Sequence, residues 1–209
     1  KHPAPPRLTS LITTRRMWER RVDHEDFLEA RIGLGTQLRG VRLLTPRTKP
    51  VEDLEPLSAL ALRRFVEAWG TVDDLPVAVQ LRSYARVLLH GDAPASRALV
   101  RSMIAQLAVF HSPQDLRIAL CVSPQHLREW DWAKWLPHCQ HPSDTDAGGQ
   151  SRMVVESLTA LDELLGKDEM DERPGFEPGS VPAEDESSWL VVLDGPAGHE
   201  ASRLVGKGY

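Results

Sequence analysis

The stretch "LLHGDAPASRALVRSMI", residues 88–104, passes from an apolar run through a glycine turn into an amphipathic pattern. Leu99 and Val100, Met103 and Ile104, and Leu107 and Ala108 recur one turn apart, while Arg97, Arg101 and Gln106 point elsewhere. One helix face is therefore built for a core. Two further runs, "LRIALCV" (116–122) and "WLVVLD" (189–194), are apolar without alternation, as in strands covered on both faces. Strand–helix–strand order of this kind predicts an α/β fold: a mostly parallel sheet with flanking helices.

The remaining segments arrange themselves around that centre. Residues 1–28 open with "KHPAPPR", a proline-rich lead expected to be extended, and read as a linker ahead of a domain over 29–209. "EARIGLGTQLRGVRLL" (29–44) predicts two short strands with glycine turns. A helix is expected from Pro56 to Trp69, with Leu62, Phe65, Val66 and Trp69 on one face. "TVDDLP" ends that segment, and strands "VAVQL" and "YARVLL" (84–89) should follow. Beyond the polar "SDTDAGGQS", a second helix runs to about Leu165 with Val154, Leu158, Leu161 and Leu165 on one face. Residues 167–187 carry eight acids and three prolines, which predicts a disordered acidic insertion.

A phosphate-cradling loop requires G-x-x-x-x-G-K-[S/T] between strand and helix. Its backbone N–H groups face the phosphates, its lysine meets their charge and its hydroxyl holds magnesium. Aligned on Gly91, Ser96 takes the second glycine, Arg97 the lysine and Ala98 the hydroxyl residue. Arg97 keeps the charge but offers a wide planar fork in place of a compact ammonium. Such sites also use a buried strand ending in an acid that touches the magnesium shell, and Asp194 stands in that position. Hydrolysing members follow it with a glutamate; here Gly195 follows, and loss of a general base lowers rate about 10²–10⁴-fold. The candidate nucleotide-binding residues are thus Gly91, Ser96, Arg97 and Asp194, set against the plain alternative of a structural turn and a strand-end acid. No catalytic residue is assigned, and ATP with magnesium at Asp194 is a weakened expectation.

Composition narrows the remaining classes. A net charge of −5 argues against a nucleic-acid footprint. Two cysteines make no disulfide framework, so a reduced cytosolic setting is the default. Apolar runs fall far short of a bilayer span, and the first residue is Lys, as expected of a piece of a longer polypeptide. "PHCQHP" places His138, Cys139 and His141 together without a second pair at zinc spacing. Trp130, Trp132 and Trp135 suit a core edge or subunit contact better than a stacking platform.

The phrases "DFLEARIGLG", "LEPLSALALRRFVEAWGTVDDLPVAVQLRSYARVLLHGD", "RALVRSMIAQLAVFHSPQDLRIALCVSP" and "WDWAKWLPH" together resemble the EccC family. These are FtsK/SpoIIIE-type ATPases of actinobacterial type VII (ESX) secretion systems, including those of mycobacteria. The resemblance implies a RecA-like (P-loop NTPase-like) fold, degenerate and cut off after the strand of Asp194, because a complete sheet needs further strands. It implies the membrane-proximal domain with the end of a stalk in residues 1–28, at the cytoplasmic face of the inner membrane. The transmembrane anchor would lie outside this segment. Implied partners are EccB, EccD, EccE and further EccC copies, with WXG100-type substrates engaged by other modules and no nucleic acid. The implied role couples the stalk to downstream ATPase modules; the alternative is an ATP-binding domain completed by a neighbouring subunit.

Overall fold

The computed structural model describes residues 2–4, 7–40, 55–166, 173–180 and 186–195. The chain forms two compact units, one of Pro3–Ala30 and the chain from Val79 onward, the other of Arg31–Ala78.

The larger unit is mixed α/β. Strands β3 (Leu116–Val122), β6 (Val154–Val155) and β7 (Ser188–Asp194) make a parallel sheet in the order β6–β3–β7. Helix α2 (Ala93–Phe110) covers one face and the shorter α4 (Leu158–Leu164) the other. The unbroken apolar run of β3 follows directly. Leu116, Ile118, Leu120 and Val122 join the cluster containing Met103, Ile104 and Leu107, while Ala119 and Cys121 face Leu161, Leu165 and Met153. A strand with a helix on each side has no polar face to show, which is why periodicity alone fails to mark it.

The C-terminal carbonyls of α2 have identifiable partners. Leu107 C=O accepts from the His111 backbone N–H at 2.9 Å. Ala108 C=O accepts from the Trp18 indole, Val109 C=O from Trp18 N–H and Phe110 C=O from Arg20 N–H. A helix leaves its last carbonyls without an internal partner; His111 closes the first of these four, and the early segment supplies donors for the other three. Trp18 adopts φ +56° to do so, a conformation held by these bonds. Arg20, 2% exposed, lies 4.4 Å over the Phe110 ring and donates to Glu29 C=O at 2.6 Å. Phe27 packs edge-on against His111. Residues 7–28 thus belong to the larger unit.

The smaller unit holds most of strands β1 (Glu29–Leu38) and β2 (Thr71–Gln80), with helix α1 (Pro56–Trp69) between them in sequence. Glu55 caps α1, its carboxylate accepting from Leu57 and Ser58 N–H. None of its described residues is buried; Leu34, Leu57, Phe65 and Trp69 are all exposed.

Several sequence expectations are corrected. β1 runs unbroken through Gly33 and Gly35 instead of turning at them, and residues 41–44 lie outside the described ones. β2 takes in the whole of "TVDDLP". The expected strand 84–89 is absent: these residues are exposed and join no ladder. Propensity makes a strand only where a neighbour accepts its backbone, and β7 pairs with β3 alone among the described residues. Residues 140–152 form a polar hairpin, β4 (Gln140–Asp146) and β5 (Gly149–Arg152), around Gly149 at φ +128°. The second helix begins only at Leu158, capped by Ser157, because Val154 and Val155 pair with β3. The acidic insertion falls mostly outside the described residues. Its described part includes Gly179, whose N–H donates to Arg82 C=O at 3.0 Å.

His111 gives the unit a titratable joint. Its Nδ1–H donates to Leu107 C=O and its Nε2 accepts from Leu28 N–H, both at 2.9 Å, so the neutral ring fits. Burial above all, with the charges of Arg20 and His138, moves its pKa from 6.5 down to about 4. The unfolded chain binds this proton first, so stability is full above pH 6.5 and falls as pH drops towards 4. His111 contributes about 3 kcal/mol to that loss. Denaturant titrations across this range should show the decline, and His111→Gln should flatten it; an unchanged slope would contradict the assignment.

Candidate functional site

The site lies where the parallel strands end, the edge at which open α/β sheets carry their ligands. β3 and β7 stay in register to Val122↔Asp194, and Ser123 N–H donates to Asp194 C=O at 3.0 Å. The chain then turns through a 3₁₀ segment, Pro124–His126, into α3 (Leu127–Trp130). That turn brings His126, Glu129 and Trp130 across the end of β7, facing the first turns of α2.

Asp194 is the centre of this cluster. Its Oδ2 accepts from Arg97 Nε–H at 2.7 Å and from the Trp130 indole N–H at 2.8 Å. Its Oδ1 lies 3.5 Å from His126 Nδ1. Arg97 Nη2 donates to His126 Nε2 at 2.8 Å, and Ser123 Oγ lies 3.1 Å from His126 Nδ1. Glu129 sits 3.4 Å from Arg97 and 2.8 Å from Arg101. Burial opposes the Asp194 charge and is the largest single influence on it. The hydrogen bonds from Arg97 and Trp130, with the charges of Arg97 and His126, together outweigh it and hold the carboxyl below its usual range. Arg97 is raised in turn, first by its bond to Asp194.

Of the residues singled out in the sequence, Arg97 and Asp194 are in direct contact. Gly91 stands apart in an open turn at φ +127°, with nothing within 4 Å of where a Cβ would sit. Ser96 is inside the helix. α2 starts at Ala93, so the cradle positions from Ala93 to Ala98 are already helical. Ala95 N–H donates to the Asp92 carboxylate and Ser96 N–H to Asp92 C=O, each at 2.9 Å, and Pro94 has no N–H. A helix N-terminus attracts phosphate through free N–H groups and a positive end. Here Asp92 takes both roles with its own negative charge. Ala98 offers no metal ligand, and Asp194 Oδ2 already accepts from two donors. As arranged, these groups do not fit a magnesium triphosphate.

Gly195 has its own structural reason. It adopts φ +78°, and a Cβ there would lie 3.1 Å from Ser123 Oγ and 3.5 Å from the His126 ring. A glutamate at this position would meet both backbone strain and crowding.

His126, Glu129, Arg101, Ser123 and Asp92 were not anticipated. The signal was available: in a parallel sheet all strand ends share one edge, so "SPQHLREW" after β3 belongs beside the residues following β7. The three tryptophans separate, with Trp130 buried on Asp194, Trp132 bonded to Glu129 C=O and Trp135 75% exposed. His138 donates to His111 C=O and His141 to Leu164 C=O, and burial pushes Cys139 up to about 12. No group of three or more metal-ligating side chains occurs among the described residues. No helix among them is long and apolar enough to cross a membrane.

No family model matches the chain. Curated relatives do. The ESX secretion system protein EccC of Thermomonospora curvata is 48% identical over 207 residues, covering 99% of this chain. The ESX-4 secretion system protein EccC4 of Mycobacterium tuberculosis is 42% identical over 164 residues, covering 78%. The chain is a homologue of the EccC proteins of ESX secretion systems. The ESX-1 protein EccCa1 of M. tuberculosis extends the likeness, at 34% identity over 201 residues and 92% of this chain. The chain spans only 16%, 13% and 26% of these relatives' lengths, in that order.

Because Asp194 is largely buried and doubly bonded, Asp194→Asn should lower stability by about 2 kcal/mol, roughly 4–8 °C in Tm. Trp130→Phe, which keeps most of the ring but drops the donor, should cost about 1 kcal/mol. Thermal melts that leave both variants at the parent Tm would show that this cluster carries no stability.

Proposed function

We propose that this chain is a membrane-proximal, RecA-like but hydrolytically silent part of an ESX secretion ATPase. It couples a membrane-anchored stalk to downstream ATPase modules. The observation that carries the reading is the Arg97–Asp194 contact. The two positions that would hold phosphate and magnesium instead hold each other at 2.7 Å. A parallel sheet flanked by helices, with the start of α2 held against Asp194 at one edge, supports the RecA-like assignment. Homology to EccC proteins supports membership of a secretion complex; the proposal adds a place at the cytoplasmic face of the inner membrane, with EccB, EccD, EccE and further EccC copies as partners.

Helix α2 suits a coupling role. Its 18 residues span about 27 Å. Trp18 and Arg20 of the early segment hold its last carbonyls, and Arg97 near its start holds β7. Displacement of the early segment is therefore delivered to the strand-end cluster through one rigid element.

ATP turnover with Mg²⁺ tests the reading. The chain should show no hydrolysis above background, and Asp194→Asn should leave that unchanged. Robust turnover abolished by Asp194→Asn would overturn it. A second reading, ATP binding completed by a neighbouring subunit, draws on the charge Arg97 keeps and the one-third exposure of Arg101 at the rim. Calorimetric titration with a non-hydrolysable ATP analogue in the assembled complex separates the two.

A further inference from the structure

Arg97 and Arg101 lie one turn apart on α2 and share a single carboxylate. Glu129 Oε1 is 3.4 Å from Arg97 Nη1, and Oε2 is 2.8 Å from Arg101 Nη1, one oxygen for each guanidinium. Asp194 does not compete for this place, because it takes the Nε side of Arg97 together with the Trp130 indole. Two guanidiniums converging on one bridging oxyanion is the geometry by which arginine recognises carboxylate and phosphate alike. Glu129 is also set from outside α2. It belongs to α3, its carbonyl accepts from Trp132 Nε1–H at 3.1 Å, and its neighbour Trp130 is fixed on Asp194.

We propose that Glu129 is an internal anion filling an oxyanion position between Arg97 and Arg101, which keeps phosphate-type oxyanions out while it is in place. The inference rests on the closed site argued above and adds what closes it. The side chains at this rim are accessible: Glu129 is 39% exposed, Arg101 33% and Arg97 14%. Withdrawal of Glu129 therefore leaves two partly exposed guanidinium groups with one carboxylate among the described residues, Asp194, in contact with them through Arg97. The position then takes a phosphate-type oxyanion on Arg97 Nη1 and Arg101 Nη1.

The test is isothermal titration of the 209-residue chain with inorganic phosphate, and in a parallel arm with ATP. Glu129→Gln should bind inorganic phosphate about tenfold more tightly than the parent. Glu129→Asp, which keeps the charge, should show no such gain, and adding Arg101→Gln to Glu129→Gln should remove it. Glu129→Ala provides an independent variant, and melting curves establish that each protein is folded. Equal affinity in parent, Glu129→Gln and Glu129→Ala would overturn the proposal, as would a gain confined to ATP. That failure is distinct from failure of the coupling reading, which is judged by turnover in the parent.

Discussion

A single carboxylate oxygen organises the functional edge of this protein. Asp194 Oδ2 receives a guanidinium N–H from α2 and an indole N–H from α3, so the sheet, the long helix and the turn after β3 meet at one atom. Leaving a largely shielded carboxylate without its donors costs more than making the bonds is favourable. The cluster is consequently stable as it stands, with no ligand needed to satisfy it. The same property makes it a poor place to bind a magnesium triphosphate, whose charges would have to replace contacts the protein already makes with itself.

α2 carries the consequence across the larger unit. Its start is capped by Asp92, and its end by the backbone N–H groups of Trp18, Arg20 and His111 together with the Trp18 indole and the His111 ring. A helix fastened at both ends moves as a unit or not at all. The early segment, with Leu8 and Phe27 in the core, is therefore part of the structural logic of the larger unit.

The centre of the fold is legible in sequence, because burial on two sides writes an unmistakable apolar run. β3, β7 and the face of α2 all follow from that. Arg97 and Asp194 were legible as candidate site residues, since strand-end and helix-start positions converge at the C-terminal edge of a parallel sheet; that they would hold each other was not. What was hidden depended on partners. Residues 84–89 have the composition of a strand yet pair with no neighbour among the described residues. Val154 and Val155 fit a helical spacing, but β3 claims them as strand. The hairpin at 140–152 is polar on both faces and so has no apolar alternation. In the site, His126 and Glu129 were invisible because nothing in a local pattern marks a residue that acts by reaching another element. Gly195 looked like an absent glutamate, whereas its φ of +78° and its closeness to Ser123 give it a positive reason to be glycine.

The account stands or falls on whether Arg97 and Asp194 act as one unit in the free protein. A double-mutant cycle with Arg97→Met and Asp194→Asn, read by denaturant unfolding without nucleotide, measures this directly. A coupling energy of about 1–3 kcal/mol is the predicted result. Additivity to within about 0.5 kcal/mol would mean that the two side chains are independent and that the edge is open.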